Sequence, residues 1–250
     1  AFCRERGIPL KIVKKDVPEM AVGLHMSLEE AGREARYEAF EEYQREHPGS
    51  RTALAHHQND QAETMLFRLM RGTGLRGLRG MEPVRLPYIR PLLCVTKEEI
   101  LEFLKEEGIS WVEDESNQEL SYTRNKIRHL LLTPMEQIWP GSVSRMARTA
   151  EQLRETEEYL LKETEKACAL YAQIQTEEIR IRLAAFEELH PAMQKRMVLS
   201  LLEQLMGSGK DLEAVHAEQL VSLAHGKRGG RTSLPGGAYA ELGYKDLLLR

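Results

Sequence analysis

The chain has 250 residues, 42% hydrophobic and 30% charged, with a formal net charge of −4, the profile of a globular protein with one large or two modest cores. No run of about 18 apolar residues is present, and Ala1-Phe2-Cys3-Arg4-Glu5-Arg6 has no apolar signal-peptide stretch. Cys3, Cys94 and Cys168 lie far apart, which argues against a zinc site or disulfide framework and for a reduced cytoplasm with no membrane attachment.

In chain order, Leu10-Lys11-Ile12-Val13-Lys14 alternates like a short strand. Ser27-Leu28-Glu29-Glu30 has the form of a capping box and opens a helix whose apolar stripe runs through Leu28, Ala31, Ala35 and Ala39. His47-Pro48-Gly49-Ser50 breaks it, and Thr52–Ala55 is a short strand candidate. A second helix runs from Asp60 to Arg71, with Gly72 as the residue after its C-cap. Thr96-Lys97-Glu98-Glu99 caps a third, and Ile109–Val112 is a further strand candidate. Strands alternating with helices of this length predict an α/β domain with a mostly parallel sheet.

Beyond Pro140 the pattern turns helical, with long segments at 142–171, 191–206 and 211–224 and a short strand at Ile179–Arg182. Pro235-Gly236-Gly237 reads as a turn between short strands. The expected division is a catalytic α/β domain over 1–140, a helical domain over 141–226 and the start of a β-containing element over 227–250. The long helix from Ser142 offers a surface for a homodimer.

Three segments could carry chemistry. His56-His57-Gln58-Asn59 falls between a strand and a helix N-terminus, where open α/β sheets bind ligands and free N–H groups favour anions. Asp60 there could orient Mg²⁺ or accept a proton from an attacking amine. Equally, Asp60 and Glu63 form a capping pair worth about 1 kcal/mol without any catalysis. Arg71-Gly72-Thr73-Gly74-Leu75-Arg76-Gly77-Leu78 is a basic glycine-rich loop that lets backbone approach a phosphate, but no G-K-[ST] comes after it to make it a P-loop. Arg124, Lys126, Arg128, Arg145 and Arg148 stand in a stretch whose one acid is Glu136. These arginines could bind phosphate or carboxylate in fork geometry, or simply pair with Glu113, Asp114 and Glu115.

In order and spacing these segments resemble the tRNA(Ile)-lysidine synthase family. The likeness rests on Glu29-Glu30-Ala31-x-Arg33-x-Ala35-Arg36-Tyr37, His57-x-x-Asp60-Gln61-x-Glu63-Thr64, Arg71-Gly72-Thr73-Gly74-Leu75-x-Gly77-Leu78 and Arg90-Pro91-Leu92-Leu93. It continues through Trp111-Val112-Glu113-Asp114-x-Ser116-Asn117 and Thr123-Arg124-Asn125-x-Ile127-Arg128, so that it covers about residues 28 to 132. Each motif alone is weak; together and in register they are specific.

The resemblance implies an N-type ATP pyrophosphatase domain with a Rossmann-like sheet, joined to tRNA-binding domains. It implies adenylation of C2 of the wobble cytidine of tRNA(Ile) with a CAU anticodon, at the expense of ATP with Mg²⁺, and displacement of AMP by the ε-amine of free L-lysine. By motif position Asp60 would orient or deprotonate the amine, with His57 and Arg36 beside it. Arg71, Gly72 and Gly74 would border the nucleotide, and Arg124 and Arg128 would meet AMP phosphate or the cytidine. Lys227, Arg228 and Arg231 would grip tRNA backbone.

The family's Ser-Gly-Gly-x-Asp-Ser pyrophosphate loop does not occur in this sequence, and there is no initiator Met. We expect truncation at both ends, with the first strand and its loop missing, and little activity from these residues alone. Two rivals are a 2-thiocytidine-forming relative, which would need a cysteine pair, and a noncatalytic tRNA-binding protein on a degenerate domain.

Overall fold

In the computed structural model the chain divides into two units, residues 1–150 and 151–250. The structure describes residues 2–112, 120, 122–176, 178–207 and 212–250.

The first unit opens with α1 (Phe2–Glu5) and α2 (Val17–Leu24), the latter capped by the Asp16 carboxylate. Then comes α3 (Leu28–Glu46), whose capping box forms as the sequence predicts: Ser27 Oγ accepts from Glu30 N–H, and Glu30 accepts from Ser27 N–H. Only Ala31 and Ala35 of its stripe are buried. β1 (Thr52–Ala53) leads into α4 (Gln58–Met70), the short α5 (Leu75–Leu78), β2 (Val84–Arg85) and β3 (Tyr88–Ile89). A 3-10 turn over Pro91–Cys94 precedes α6 (Lys97–Glu106), which Thr96 and Glu99 cap reciprocally. α7 (Thr123–Lys126), a π-helical turn over Ile127–Leu132, α8 (Thr133–Ile138) and the start of α9 (Ser142–Tyr171) complete the unit.

The α/β class holds, while the sheet is small and mixed. β1 pairs β3 in parallel, and β2 pairs β3 antiparallel because the chain reverses at Leu86 and Pro87. Leu10–Lys14 and Ile109–Val112, expected as strands, pair with no described strand, and Leu10, Ile12 and Val112 are largely exposed. Alternation alone cannot supply the ladder partner that a strand requires. Ala62, Leu132 and Val143 form a small core that ties α4 to the π-helical turn and to the start of α9.

In the second unit, α9 runs into β4 (Ala172–Ile174), and β5 (Ile179–Arg182) comes after it. α10 (Leu183–Glu188), α11 (Pro191–Met206) and α12 (Ala214–Ala224) come next, then β6 (Arg231–Ser233), β7 (Tyr239–Leu242) and β8 (Asp246–Leu249). The helix expected from residue 211 is observed from Ala214; residues 208–211 lie outside the described ones. The strands form one antiparallel sheet in the order β4-β5-β8-β7-β6. Its register aligns Ile181 with Leu247 and Leu247 with Leu242, so alternate residues share one face. Ile179, Ile181, Ala240, Leu242, Leu247 and Leu249 on that face pack against Phe186, Met197, Leu201, Leu202 and Leu220 from the helices. Full burial contributes about 1.5–3 kcal/mol per large side chain, which makes this the main apolar core of the chain. The segments expected as a helical domain and as the start of a separate β element thus share one sheet, since β5 pairs β8. Contacts put the division at residue 150 rather than near 140.

Candidate active site

α4 starts just past β1, and three of its polar residues are buried: Asp60, Gln61 and Glu63. Burial of unpaired carboxylates is costly, so each must find partners. Glu63, 1% exposed, is held by two arginines from the α7 region. Arg124 Nε donates to Glu63 Oε2 at 2.8 Å, and Arg128 Nε donates to Oε1 at 2.6 Å with a second, 3.3 Å bond from Nη2 to Oε2. Arg124 and Arg128 stand four residues apart, the spacing that puts both on one face of a continuous helical segment. The π-helical turn holding Arg128 anchors there through Ile127 and Leu132, both buried.

Asp60 lies one helical turn before Glu63. Its Oδ2 accepts from the backbone N–H of His57 at 3.0 Å and sits 3.5 Å from His57 Nε2. Its Oδ1 accepts from Arg124 Nη2 at a longer 3.3 Å. The capping reading of Asp60 is thus met at His57 N–H, and its other oxygen meets Arg124. Glu63 is no cap: its oxygens go to the arginines.

The neighbours of this pair divide into supports and open groups. Gln58 N–H donates to Val95 O, its side-chain amide donates to Cys94 O, and Asn59 Oδ1 accepts from Lys97 N–H at the start of α6. Gln58 and Asn59 thus dock the Pro91–Lys97 segment onto α4, and part of the helix N-terminus expected to attract anions is already bonded. By contrast, His56 Nδ1, His57 Nδ1 and Arg90 Nε are buried with no hydrogen-bond partner among the described residues. Buried polar atoms of this kind are uncommon and mark a place suited to a polar ligand.

Desolvation pushes the pKa of His56 below its ordinary value; Asp60 opposes this, and Arg90, Arg124 and Arg33 add to it. With its folded value depressed, His56 contributes stability that is present above the unfolded value of about 6.5 and lost as pH falls through the folded one. Glu30, Glu99 and Glu178 are also depressed, from 4.5, so their contribution fades only at lower pH. The urea midpoint should therefore fall between pH 7 and pH 5, and His56→Gln should flatten that interval. An unchanged slope in the variant would assign the loss elsewhere.

Other expected site residues are not brought together with Asp60. Arg71 caps the far end of α4, about 16 Å along the axis from Asp60 at 1.5 Å per residue, and its guanidinium lies over the Phe67 ring. Gly72, at φ +72°, and Gly74 are beside it with open space at their Cβ positions. Arg36 lines a groove of about 550 Å³ with Lys11, Lys15, Phe40 and Tyr43. From α3 it is Arg33 whose charge acts on His56, and Glu29 whose charge acts on Arg124. Their four-residue spacing is a legible signal that they share a face. Of the Trp111–Asn117 motif, residues 113–117 lie outside the described ones.

Among the described residues no group of three or more His, Cys, Asp or Glu converges as a metal site. Asp60 and Glu63 are occupied by arginines, so these residues alone do not build a magnesium site. In the second unit Lys227 and Arg228 occupy the exposed turn between α12 and β6, and the Arg231 guanidinium lies 3.7 Å from the centre of the Tyr239 ring.

A family model described as the PP-loop domain, ATP_bind_3, matches residues 1–135, just over half of the chain. The chain belongs to the PP-loop family. Within it, a tRNA(Ile)-lysidine synthase of Caldanaerobacter subterraneus is 34% identical over 250 residues, covering 100% of this chain and 54% of that protein. One from Clostridium perfringens is 31% identical over 251 residues, covering 100% of this chain and 53% of the relative. Another from Bacteroides thetaiotaomicron is 42% identical over 154 residues, 62% of this chain and 36% of its own length. The chain spans about half the length of the curated relatives that match it from end to end. The PP-loop match covers the first-unit segment that carries Asp60, Glu63, Arg124 and Arg128, and the Rossmann-like expectation agrees with it.

Proposed function

We propose that the protein carrying this chain forms lysidine on tRNA(Ile) with a CAU anticodon, joining free L-lysine to C2 of the wobble cytidine at the expense of ATP. The single observation that carries this reading is the Asp60–Glu63–Arg124–Arg128 cluster, set in a PP-loop chain whose relatives are named for that product.

The chemistry asks for an activated base and an amine nucleophile. The cytidine oxygen at C2 attacks the α-phosphorus of ATP and pyrophosphate leaves; the lysine nitrogen then attacks C2, AMP departs with that oxygen, and the amine loses a proton. Asp60 is the group we assign to the amine. Its side chain keeps 12% exposure, against 1% for Glu63, and an incoming ammonium would replace the long contact from Arg124. His57 would help hold that carboxylate in place. Arg124 and Arg128 would meet the AMP phosphate or the cytidine oxygen, where guanidinium forks offset developing negative charge. Mg²⁺ would be brought chiefly by the ATP phosphates.

Lys227, Arg228 and Arg231 are proposed to grip tRNA backbone, an electrostatic contact that weakens with salt. No helix among the described residues is long and apolar enough to cross a membrane, and a tRNA substrate would place the work in the cytoplasm. Cys3, Cys94 and Cys168 are all free thiols, so a sulfur-transfer reading gains no support from them.

The test uses the full-length protein with a transcript of tRNA(Ile), ATP and labelled lysine. Label should enter the tRNA with one AMP released per lysine. ATP consumption without lysine incorporation, or no incorporation at all, rejects the proposal.

A further inference from the structure

We infer that Gln61 is a positioning residue for this site: its buried carboxamide clamps the backbone of Met81 and, through Glu82 and Pro83, fixes where Arg90 lies. The consequence for turnover rests on the proposed lysine ligation; the geometry does not.

Gln61 is 2% exposed. Its Oε1 accepts from Met81 N–H at 2.7 Å and its Nε2 donates to Met81 O at 3.2 Å, so both ends of the amide are spent on one residue 20 positions away. The approach depends on Gly80, at φ +68°, where a Cβ would come within 2.6 Å of the Gln61 amide. Two turns along α4, Arg68 Nη1 donates to Gly77 O at 2.7 Å and to Gly80 O at 3.0 Å. The chain therefore runs back along α4 after the glycine-rich loop, and Gly80 and Met81, beyond that loop, come to the Asp60 end of the helix.

The backbone just past the clamp reaches the site. Glu82 O accepts from Arg90 Nη1 at 2.7 Å, and Pro83 O accepts from Arg90 N–H at 2.8 Å. Arg90 follows Ile89, whose carbonyl accepts from Leu54 N–H two residues before His56, and its charge is one of those acting on His56. Simple packing against a loop would ask for an apolar side chain at position 61. A two-point amide-to-backbone clamp instead fixes where the Gly80–Pro83 backbone lies, and so where Arg90 is held. Gln61 adjoins Asp60 on α4, so the carboxylate and the arginine are referred to the same helix.

The test follows the His56 titration by NMR in the histidine-labelled full-length protein, alongside lysidine turnover. Gln61→Met removes both bonds at similar length; Gln61→Asn keeps an uncharged amide but shortens its reach to Met81; Arg90→Gln removes the charge. In Gln61→Met the His56 titration should move up toward its ordinary value, as in Arg90→Gln, and kcat should fall on the order of 10²-fold, the scale of an ångström-level misplacement. Gln61→Asn should give an effect of the same sign, and it decides the matter if Gln61→Met does not fold. An unmoved His56 titration in a folded Gln61 variant overturns the inference, as does a moved titration with unchanged kcat. If the wild-type protein forms no lysidine, the proposed function fails while the titration still tests the clamp.

Discussion

Asp60→Asn is expected to cut lysine transfer by about 10²–10⁴-fold, the range typical of losing a positioned general base, while adenylation of the tRNA continues. The substitution keeps an oxygen that can accept from His57 N–H, so the start of α4 should survive. What it removes is the negative charge that would attract the lysine ammonium and take its proton, and it turns an acceptor into an amide donor near Arg124. Two readouts separate the steps: pyrophosphate release reports adenylation, and labelled lysine in tRNA reports ligation. A variant that incorporates lysine at a near-normal rate would remove Asp60 from the mechanism. Equal loss of both signals would instead make it part of the nucleotide side.

Glu63→Gln should be the most destabilising conservative change in the first unit, by about 2–3 kcal/mol. Removing one partner of a buried ion pair typically costs about 3–5 kcal/mol, and the figure is lowered here because the Arg124 and Arg128 side chains remain 39% and 26% exposed and can recover some hydration. Whichever oxygen became NH₂, that amide donor would face an arginine N–H, since guanidinium donors meet both oxygens of this carboxylate. The urea midpoint should drop with the m-value unchanged. A shift under about 0.5 kcal/mol, the scale of an ordinary surface change, would show that the arginines carry no burden on folding.

Taken together, the two substitutions distinguish neighbours on one helix. Asp60 is the less sealed of the two and keeps a long, 3.3 Å contact to Arg124, which suits the exchange of partners proposed for it. Glu63 is sealed and holds the arginines in position. Three residues of spacing put both on the same helical face, and only their partners tell them apart.

Local signals are legible where the interacting groups are close in sequence. Ser27 with Glu30 and Thr96 with Glu99 bond across three residues, so the capping boxes can be read from residue type and spacing alone. The long helix from Ser142, the Ile179–Arg182 strand and the turn at Pro235–Gly237 are legible through period or backbone preference. The set of motifs from Glu29 to Arg128 also points to the family. Tertiary structure alone decided what joins residues far apart: Glu63 with Arg124 and Arg128, Gln61 with Met81, β5 with β8. It also decided that Leu10–Lys14 is no strand, that the charge of Arg33 acts on His56, and that Arg71 stands at the other end of α4. The physical reason is range. Caps and turns are set by dihedral preference and bonds within one turn, whereas ladder partners and buried charges take their energy from groups that only the folded chain brings within about 3 Å, the reach of a hydrogen bond.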